Sequence, residues 1–347
     1  MNAPRDYRRI AAEEAWCPAH ILERYRRLLA SQPASWDPGF HSLWGFFLGA
    51  TPRATQLAAR IQDLGERRLA DMDASGIDRQ LVFLTAPGVQ VFDAPEATSL
   101  ARDANDLLRD EIGKHPGRYA GLAAIAPQDP AGAAKELGRA VKTLGLKGAV
   151  VNSHTRGEYL DEPKFWEVFE AAQALDVPIY LHPSTPSAAM IGPFLPRGLD
   201  GAVYGFAVET GLHLLRIVFA GVFDRFPKLR MVAGHLGEGL PYWLFRIDFM
   251  HRSMVASERY PGVKPLLRKP SDYLRENLWV TTSGMQWEPA ILFALSVLGA
   301  ERVMYAMDYP YQFEADEVRT HDLLDVPDAA KKKLMQTNAE RVFRLTQ

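Results

Sequence analysis

Five apolar residues, Val303 to Met307, run into a single carboxylate, Asp308, and then into Tyr309-Pro310. A short apolar run closed by a turn signal reads as a strand buried on both faces. An unpaired charge inside such a layer is too costly, so Asp308 belongs at the strand's mouth, facing a cation, a substrate or a ligand. Other short apolar stretches end in the same way. Ile10 to Ala12 runs into Glu13, Lys147 to Val151 is followed by His154, Val177 to Leu181 by His182, and Arg230 to Ala233 by His235. Glu, His and Asp together make a divalent-metal ligand set of intermediate hardness, suited to Mn2+, Mg2+ or Zn2+. Each residue also has a plainer reading. Glu13 can pair with an arginine, His154 can bridge two loops, and His182 can be a core histidine. His213 lies in an apolar helical stretch and reads as packing. Glu14 points to the opposite face by strand alternation and reads as structural. Cys17 has no activating neighbour in sequence and reads as an inert thiol.

The elements that must position these groups alternate along the chain. Further strands are expected at Asp78 to Leu84, Tyr119 to Ala126 and Leu278 to Thr282. Helical periodicity covers residues 54–75, 94–115, 130–144, 163–175, 201–220, 240–256, 288–298 and 329–343. Gly76 stands where a helix C-cap is expected. Strands alternating with helices imply parallel pairing through right-handed crossovers. Eight such units fit a closed (β/α)8 TIM barrel, an α/β fold, and residues 1–347 then form a single domain. In that fold catalytic groups gather at the C-terminal strand ends, where Glu13, His154, His182, His235 and Asp308 fall. The open doubly wound sheet is the alternative, but no Gly-x-Gly-x-x-Gly turn follows the first strand. Residues 17–54 form an insertion after strand one, rich in Trp, Phe, Gly and Pro and without clear periodicity apart from a helical piece, Ala19 to Leu29. Its aromatic content argues for a cover packed over the site.

Composition narrows the partners. With 47% hydrophobic and 24% charged residues the 347-residue chain is of ordinary globular make-up. Forty basic residues against 42 acidic ones give a net charge of -2, so neither nucleic acid nor a membrane is an expected partner. One cysteine excludes an intramolecular disulfide and suits a reducing compartment, and a cytoplasmic enzyme is expected. The polar start of the sequence shows no apolar signal region, and no run of about 18 apolar residues suggests a membrane span. Ser283-Gly284 is not a Gly-x-Ser-x-Gly elbow, which leaves a serine hydrolase without support.

Glu13-Glu14-Ala15, His182-Pro183, Gly234-His235-Leu-Gly-Glu238-Gly-Leu-Pro241 and Met307-Asp308-Tyr-Pro310 resemble the decarboxylase branch of the amidohydrolase superfamily. That branch includes the γ-resorcylate, 2,3-dihydroxybenzoate and aminocarboxymuconate-semialdehyde decarboxylases. Ser42-Leu-Trp-Gly-Phe46, Arg53-Ala-Thr-Gln56, Leu64-Gly-Glu-Arg-Arg68, Val208-Glu-Thr-Gly211 and Tyr305 to Tyr311 resemble a narrower group within it, whose substrate is 5-carboxyvanillate. The resemblance implies a lyase that removes CO2 without oxidation from an ortho-hydroxybenzoate, in the breakdown of lignin-derived biphenyls. It implies one divalent ion, Mn2+ first, bound by Glu13, His182 and Asp308, with no organic cofactor. It further implies that Arg53, His235, Arg246 and Tyr311 contact the substrate, with Asp308 and His235 catalytic. A homodimer or larger homo-oligomer is expected on the same ground. The superfamily's His-x-His is Glu13-Glu14-Ala15 here, and strand four offers Lys147 only at its start, so a second metal on a bridging lysine is not expected. Decarboxylases of other hydroxybenzoates and a metal-dependent hydrolase or lactonase remain as alternatives. A non-catalytic binding barrel has no need of so many polar groups at its strand ends.

Overall fold

The computed structural model describes residues 6–345. Its strands are β1 (Ile10–Trp16), β2 (Arg79–Leu84), β3 (Tyr119–Gly121), β4 (Ala123–Ala124), β5 (Ala149–Asn152), β6 (Ile179–His182), β7 (Met231–Ala233), β8 (Leu278–Thr281) and β9 (Val303–Met304). β3 and β4 are halves of one strand, parted at Leu122, whose amide still bonds the Val82 carbonyl of β2 at 3.0 Å. All pairings are parallel, in the order β1-β2-β3 and then β4 through β9. The ring closes where β9 continues as irregular chain beside β1. Ala12 N donates to Tyr305 O and Ala15 N to Tyr309 O, each at 2.8 Å. Strand residues are buried on both faces, as a barrel wall between side-chain layers and helices requires. Among the described residues no helix is long and apolar enough to cross a membrane.

Between β1 and β2 the chain makes four helices, α1 (Ala19–Ser31), α2 (Pro38–Phe47), α3 (Pro52–Gln62) and α4 (Glu66–Ser75). Asp37 and Thr51 cap α2 and α3 by accepting from Phe40 N and Ala54 N, each followed by proline at the first helical position. The single helix expected over residues 54–75 is broken, because the Asp63 carboxylate accepts from Gly65 N at 2.8 Å and Arg68 N at 3.0 Å and starts a new helix there. Gly76 closes α4 in the left-handed conformation, φ 70°.

The segment 17–62 has an apolar core of its own: Ile21, Leu22, Tyr25, Phe40, Trp44 and Ile61 pack on Leu84, Val89 and Phe92. Burying one large apolar side chain contributes about 1.5–3 kcal/mol, so these contacts hold the helices firmly against the rim. Two polar ties fix their angle, Tyr25 Oη to Gly88 O at 2.6 Å and Trp44 Nε1 to Ala86 O at 3.1 Å. Cys17 is fully buried in this layer, its amide bonded to Ile61 O at 2.9 Å.

The strand expected from Val303 to Met307 is a ladder only at Val303 and Met304. Beyond it, side chains take over the work of the ladder. Thr282 Oγ1 accepts from Ala306 N at 3.1 Å, and the Glu14 carboxylate accepts from Met307 N and Tyr309 N at 3.0 Å each.

Candidate active site

Glu13 stands midway along β1, beside the register shift between Ala11 and Glu14, and is 1% exposed. Its Oε2 accepts from the Tyr180 phenol of β6 and from Thr281 Oγ1 of β8 at 2.7 Å. Among the described residues its Oε1 has no hydrogen-bond partner. That oxygen lies 3.5 Å from His182 Nε2 and 3.8 Å from His235 Nε2. Gly234, which leads out of β7, is the residue that allows this closeness. A Cβ there would stand 2.6 Å from Glu13 Oε2.

The next groups sit on strained backbone. His235, Leu236 and Glu238 have φ of 50°, 54° and 55°, and Asp308 has φ 71°. Left-handed backbone in a non-glycine residue costs about 1–3 kcal/mol and persists where the surroundings enforce it. One ligand atom from each of Glu13, His235 and Asp308 lies within 4.8 Å of the others. His182 adds a second imidazole beside the same carboxylate.

The two histidines differ in charge. Burial pushes His182 down to about 4, against the pull of Glu13 and with the help of His235, so its ring is neutral and offers a lone pair. His235 Nδ1 is bonded to Glu238 Oε1 at 2.9 Å. Burial opposes its charge, but Glu238, Glu13 and Asp308 outweigh burial and push it up to about 10. The carboxylates around His235 favour its cationic, donating form, a pull that a cation held by Glu13 and Asp308 would weaken. Burial pushes Asp308 up to about 8, with Glu13 and Glu238 adding to the rise and His235 opposing it. Beside a divalent cation the balance tips back toward the ionised form. Asp308 is therefore a carboxyl whose proton moves with small changes in nearby charge.

These residues fit a divalent cation. A buried carboxylate oxygen without a donor is costly, a neutral imidazole faces it, and a second carboxyl stands opposite. Glu13, Asp308 and one imidazole, that of His235 in the same cluster or that of His182 beside Glu13, offer two oxygens and one nitrogen, a set suited to Mn2+ or a similar ion.

The cover completes the chamber. A cavity of about 370 Å³ is lined by Leu43, Phe46, Phe47, Arg53 and Leu57 from the cover, and by His182, Pro183, Phe206, His235, Asp308 and Tyr311 from the barrel. Phe47 and Tyr311 face each other with ring centroids 5.2 Å apart, and Tyr311 Oη bonds Thr85 Oγ1 at 2.7 Å. A polar cavity of about 540 Å³ adjoins, sharing Arg53, Leu57, Tyr311 and Gln312. The chamber has the size of a small aromatic ligand, with apolar walls and few polar groups.

The structure thus brings His182, His235, Asp308, Arg53 and Tyr311 to one chamber, with the buried Glu13 touching its two histidines, but not Arg246. Arg246 lines a different groove, with Tyr204, Val208, Trp243 and Met250. The helix Leu240–Ser257 buries Leu240, Pro241, Leu244 and His251. Arg246, two residues after Leu244, is turned about 200° from it and faces outward. His154 bridges loops, its Nε2 bonded to Thr185 O and its Nδ1 accepting from Gly157 N, both at 3.1 Å. Tyr180 and Thr281 escaped the sequence reading, which searched strand ends for titratable groups. Tyr180 stands two residues before His182, so strand alternation already puts it on the same face.

A family model described as amidohydrolase matches residues 17–345. The chain is 36% identical over 298 residues to a γ-resorcylate decarboxylase of Polaromonas sp., covering 84% of this chain and 90% of the relative. It is 39% identical over 302 residues to a γ-resorcylate decarboxylase of Rhodococcus jostii, with the same coverage. Among solved structures, 5-carboxyvanillate decarboxylase of Novosphingobium aromaticivorans, in complex with manganese and 4-hydroxy-3-methoxy-5-nitrobenzoic acid, superposes with a TM-score of 0.95 at 50% identity, over 98% of this chain and 97% of that one. The 5-carboxyvanillate decarboxylase of Sphingomonas paucimobilis gives 0.92 at 40% identity, over 98% and 100%.

Proposed function

The chain belongs to the amidohydrolase family, and from that premise we propose that it decarboxylates 5-carboxyvanillate to vanillate and CO2 with one Mn2+ held by Glu13, His182 and Asp308. The observation that carries the reading is a half-buried acid, Asp308, clustered with Glu13 and His235 on the wall of an aromatic-sized, mainly apolar chamber. Replacing a ring carboxylate by hydrogen needs such a donor, out of reach of bulk water. The likeness to 5-carboxyvanillate decarboxylases, 50% identical over 98% of this chain in one case, supports the substrate.

Glu13, His182 and Asp308 would hold the cation, which would supply Lewis acidity to the oxygens of an ortho-hydroxybenzoate. His235, braced by Glu238, donates to the substrate's oxygen and fixes the ring. Arg53 holds the second carboxylate through a charge-assisted pair, and Tyr311 borders the ring beside Phe47. Asp308 takes up the proton that the phenol releases on binding and gives it to the ring carbon that bears the departing carboxylate. The C–C bond then breaks, its electron pair restores the aromatic ring, and CO2 leaves. Leu43, Phe46 and Phe47 keep water from the ring while it is not aromatic.

The lone buried cysteine suits a reducing compartment, and the proposal places the enzyme in the cytoplasm. It also makes the protein a homodimer or larger homo-oligomer. In support, Tyr242, Phe245 and Phe249 on one helix are 75%, 83% and 50% exposed.

Incubation of the Mn2+-loaded protein with 5-carboxyvanillate tests the reading, with vanillate and CO2 expected in equal amounts and a chelator expected to stop both. Asp308→Asn should keep substrate affinity within about tenfold and lose turnover by about a thousandfold or more. Near-normal turnover in that variant removes Asp308 as donor. Faster turnover of 2,6-dihydroxybenzoate moves the assignment to the γ-resorcylate type, the reading favoured by relatives 36% and 39% identical. Substrate consumed by water without CO2 points to a hydrolase.

A further inference from the structure

Glu14 follows the candidate metal ligand Glu13 directly yet faces the other way, and it is fully buried. Its two oxygens divide their work. Oε1 accepts from Met307 N and Oε2 from Tyr309 N, both at 3.0 Å. These are the amides on either side of Asp308. Asp308 itself has φ 71°, a conformation that a non-glycine residue holds only when something enforces it.

The backbone around it shows why a brace is needed. From Ala12 to Ala15, β1 advances three residues, while its bonded partners advance four, from Tyr305 to Tyr309. One residue on the Tyr305–Tyr309 side is therefore extra, as in a β-bulge, and the ladder is interrupted between Tyr305 and the Glu14–Tyr309 bridge, where pairing with β1 resumes. The Glu14 carboxylate fills that gap as a two-pronged acceptor. Tyr309 is fixed a second time by Arg68, fully buried, whose guanidinium lies 4.4 Å from the ring centroid and is tied to Gln80 Oε1 at 2.7 Å and Ala15 O at 2.8 Å. The barrel closes without Glu14, through the Ala12–Tyr305 and Ala15–Tyr309 bonds. Its carboxylate is needed for the bulge alone.

We infer that Glu14 is a positioning residue for the reaction: its carboxylate binds both amides flanking Asp308, holds that residue in its left-handed turn and so aims the carboxyl into the chamber. The inference rests on the proposed role of Asp308 and adds to it the device that sets its direction. A misplacement of about 1 Å costs on the order of a hundredfold in rate. Glu14→Gln keeps the size but turns an N–H toward one of the two amides. Glu14→Asp keeps both acceptor oxygens on a shorter arm.

The test compares Glu14→Gln, Glu14→Asp and Asp308→Asn as Mn2+-loaded proteins beside the parent chain. Amide hydrogen exchange at Met307 and Tyr309 reads the brace itself. Steady-state kinetics and the Mn2+ EPR spectrum read its consequence. Glu14→Gln is expected to speed exchange at both amides at least about tenfold, to lower kcat about 30- to 100-fold with KM within about threefold, and to shift the Mn2+ spectrum. Glu14→Asp is expected to recover part of kcat. Unchanged exchange in Glu14→Gln overturns the brace, and so does unchanged kcat while Asp308→Asn has lost turnover. If Asp308→Asn itself turns over normally, the role of Asp308 fails, and the exchange rates still decide whether Glu14 holds the turn. Should Glu14→Gln not fold, Glu14→Asp carries the same three readouts, with a loss of about tenfold in kcat expected.

Discussion

Replacing Tyr180 by Phe removes one oxygen from the barrel interior and little else. The ring stays packed against Phe83, with centroids 5.1 Å apart, so no cavity large enough to matter is opened. The lost hydroxyl is one of two donors to Glu13 Oε2, the other being Thr281 Oγ1 at 2.7 Å. A hydrogen bond to a charged group contributes about 1.5–3 kcal/mol. At about 1.4 kcal/mol per factor of ten, that corresponds to a 10- to 100-fold rise in the dissociation constant for Mn2+, the range usual when a partner of a metal ligand is removed. Tyr180 does not line the substrate cavity. At saturating Mn2+ kcat should therefore stay within about threefold of the parent. The assay is titration of chelator-stripped protein with Mn2+, with the free ion followed by EPR and turnover measured at each point. A dissociation constant within twofold of the parent would falsify the idea that the phenol orients Glu13 for a cation. A collapse of kcat at saturating metal would mean that Tyr180 takes part in the chemistry itself. Thr281→Val should act in the same direction, and the two effects should not add, because both donors serve one oxygen.

Arg53 is exposed and lines both the ring chamber and its polar annexe. Arg53→Ala should raise KM about 10- to 100-fold with kcat changed far less, and an equal fall in kcat would make the arginine part of the transition state. Acid should destabilise the fold through His213 and His321, which burial pushes down to about 3 and about 4. Both are neutral in the folded chain, whereas an unfolded histidine takes up its proton near pH 6.5. Their stabilising effect is therefore complete above about pH 6.5 and is lost as pH falls toward 4, by up to about 1.4 kcal/mol per pH unit for each. Urea unfolding between pH 7 and pH 4.5 should show that slope, and His213→Asn should flatten it. A flat profile in the parent protein would remove both residues from the account.

The barrel was legible because its strands are buried on both faces and so stand out as short apolar runs, each followed by a helical period. The polar groups of the chamber were legible for the same reason, since a charge after such a run has nowhere to go but the rim. What stayed hidden depended on side chains acting across the fold. Val303 to Met307 reads as one strand, yet Thr282 and Glu14 take over its hydrogen bonding after Met304. No local pattern reveals an acceptor 293 residues away. In the cover α1 is legible as a helical piece from Ala19 to Leu29, and for α2 and α3 the only signals are Asp37-Pro38 and Thr51-Pro52, each a cap followed by a first-turn proline. Resemblance places Arg246 at the substrate, whereas within this chain it is exposed and lines a separate groove. The spacing of Leu240, Leu244 and His251 in the same helix already turned it outward.

Cys17 gives the cover a built-in clock. The thiol is fully buried beneath α1 and α3, and burial pushes its pKa well above the usual thiol range, so the closed chain protects it from alkylating reagents. Reaction must wait for those helices to lift from the rim or for the whole chain to unfold. The rate of labelling in native buffer, with and without a bound aromatic acid, therefore measures how often the chamber opens. The chain needs no engineered probe for that measurement, because it contains only one cysteine.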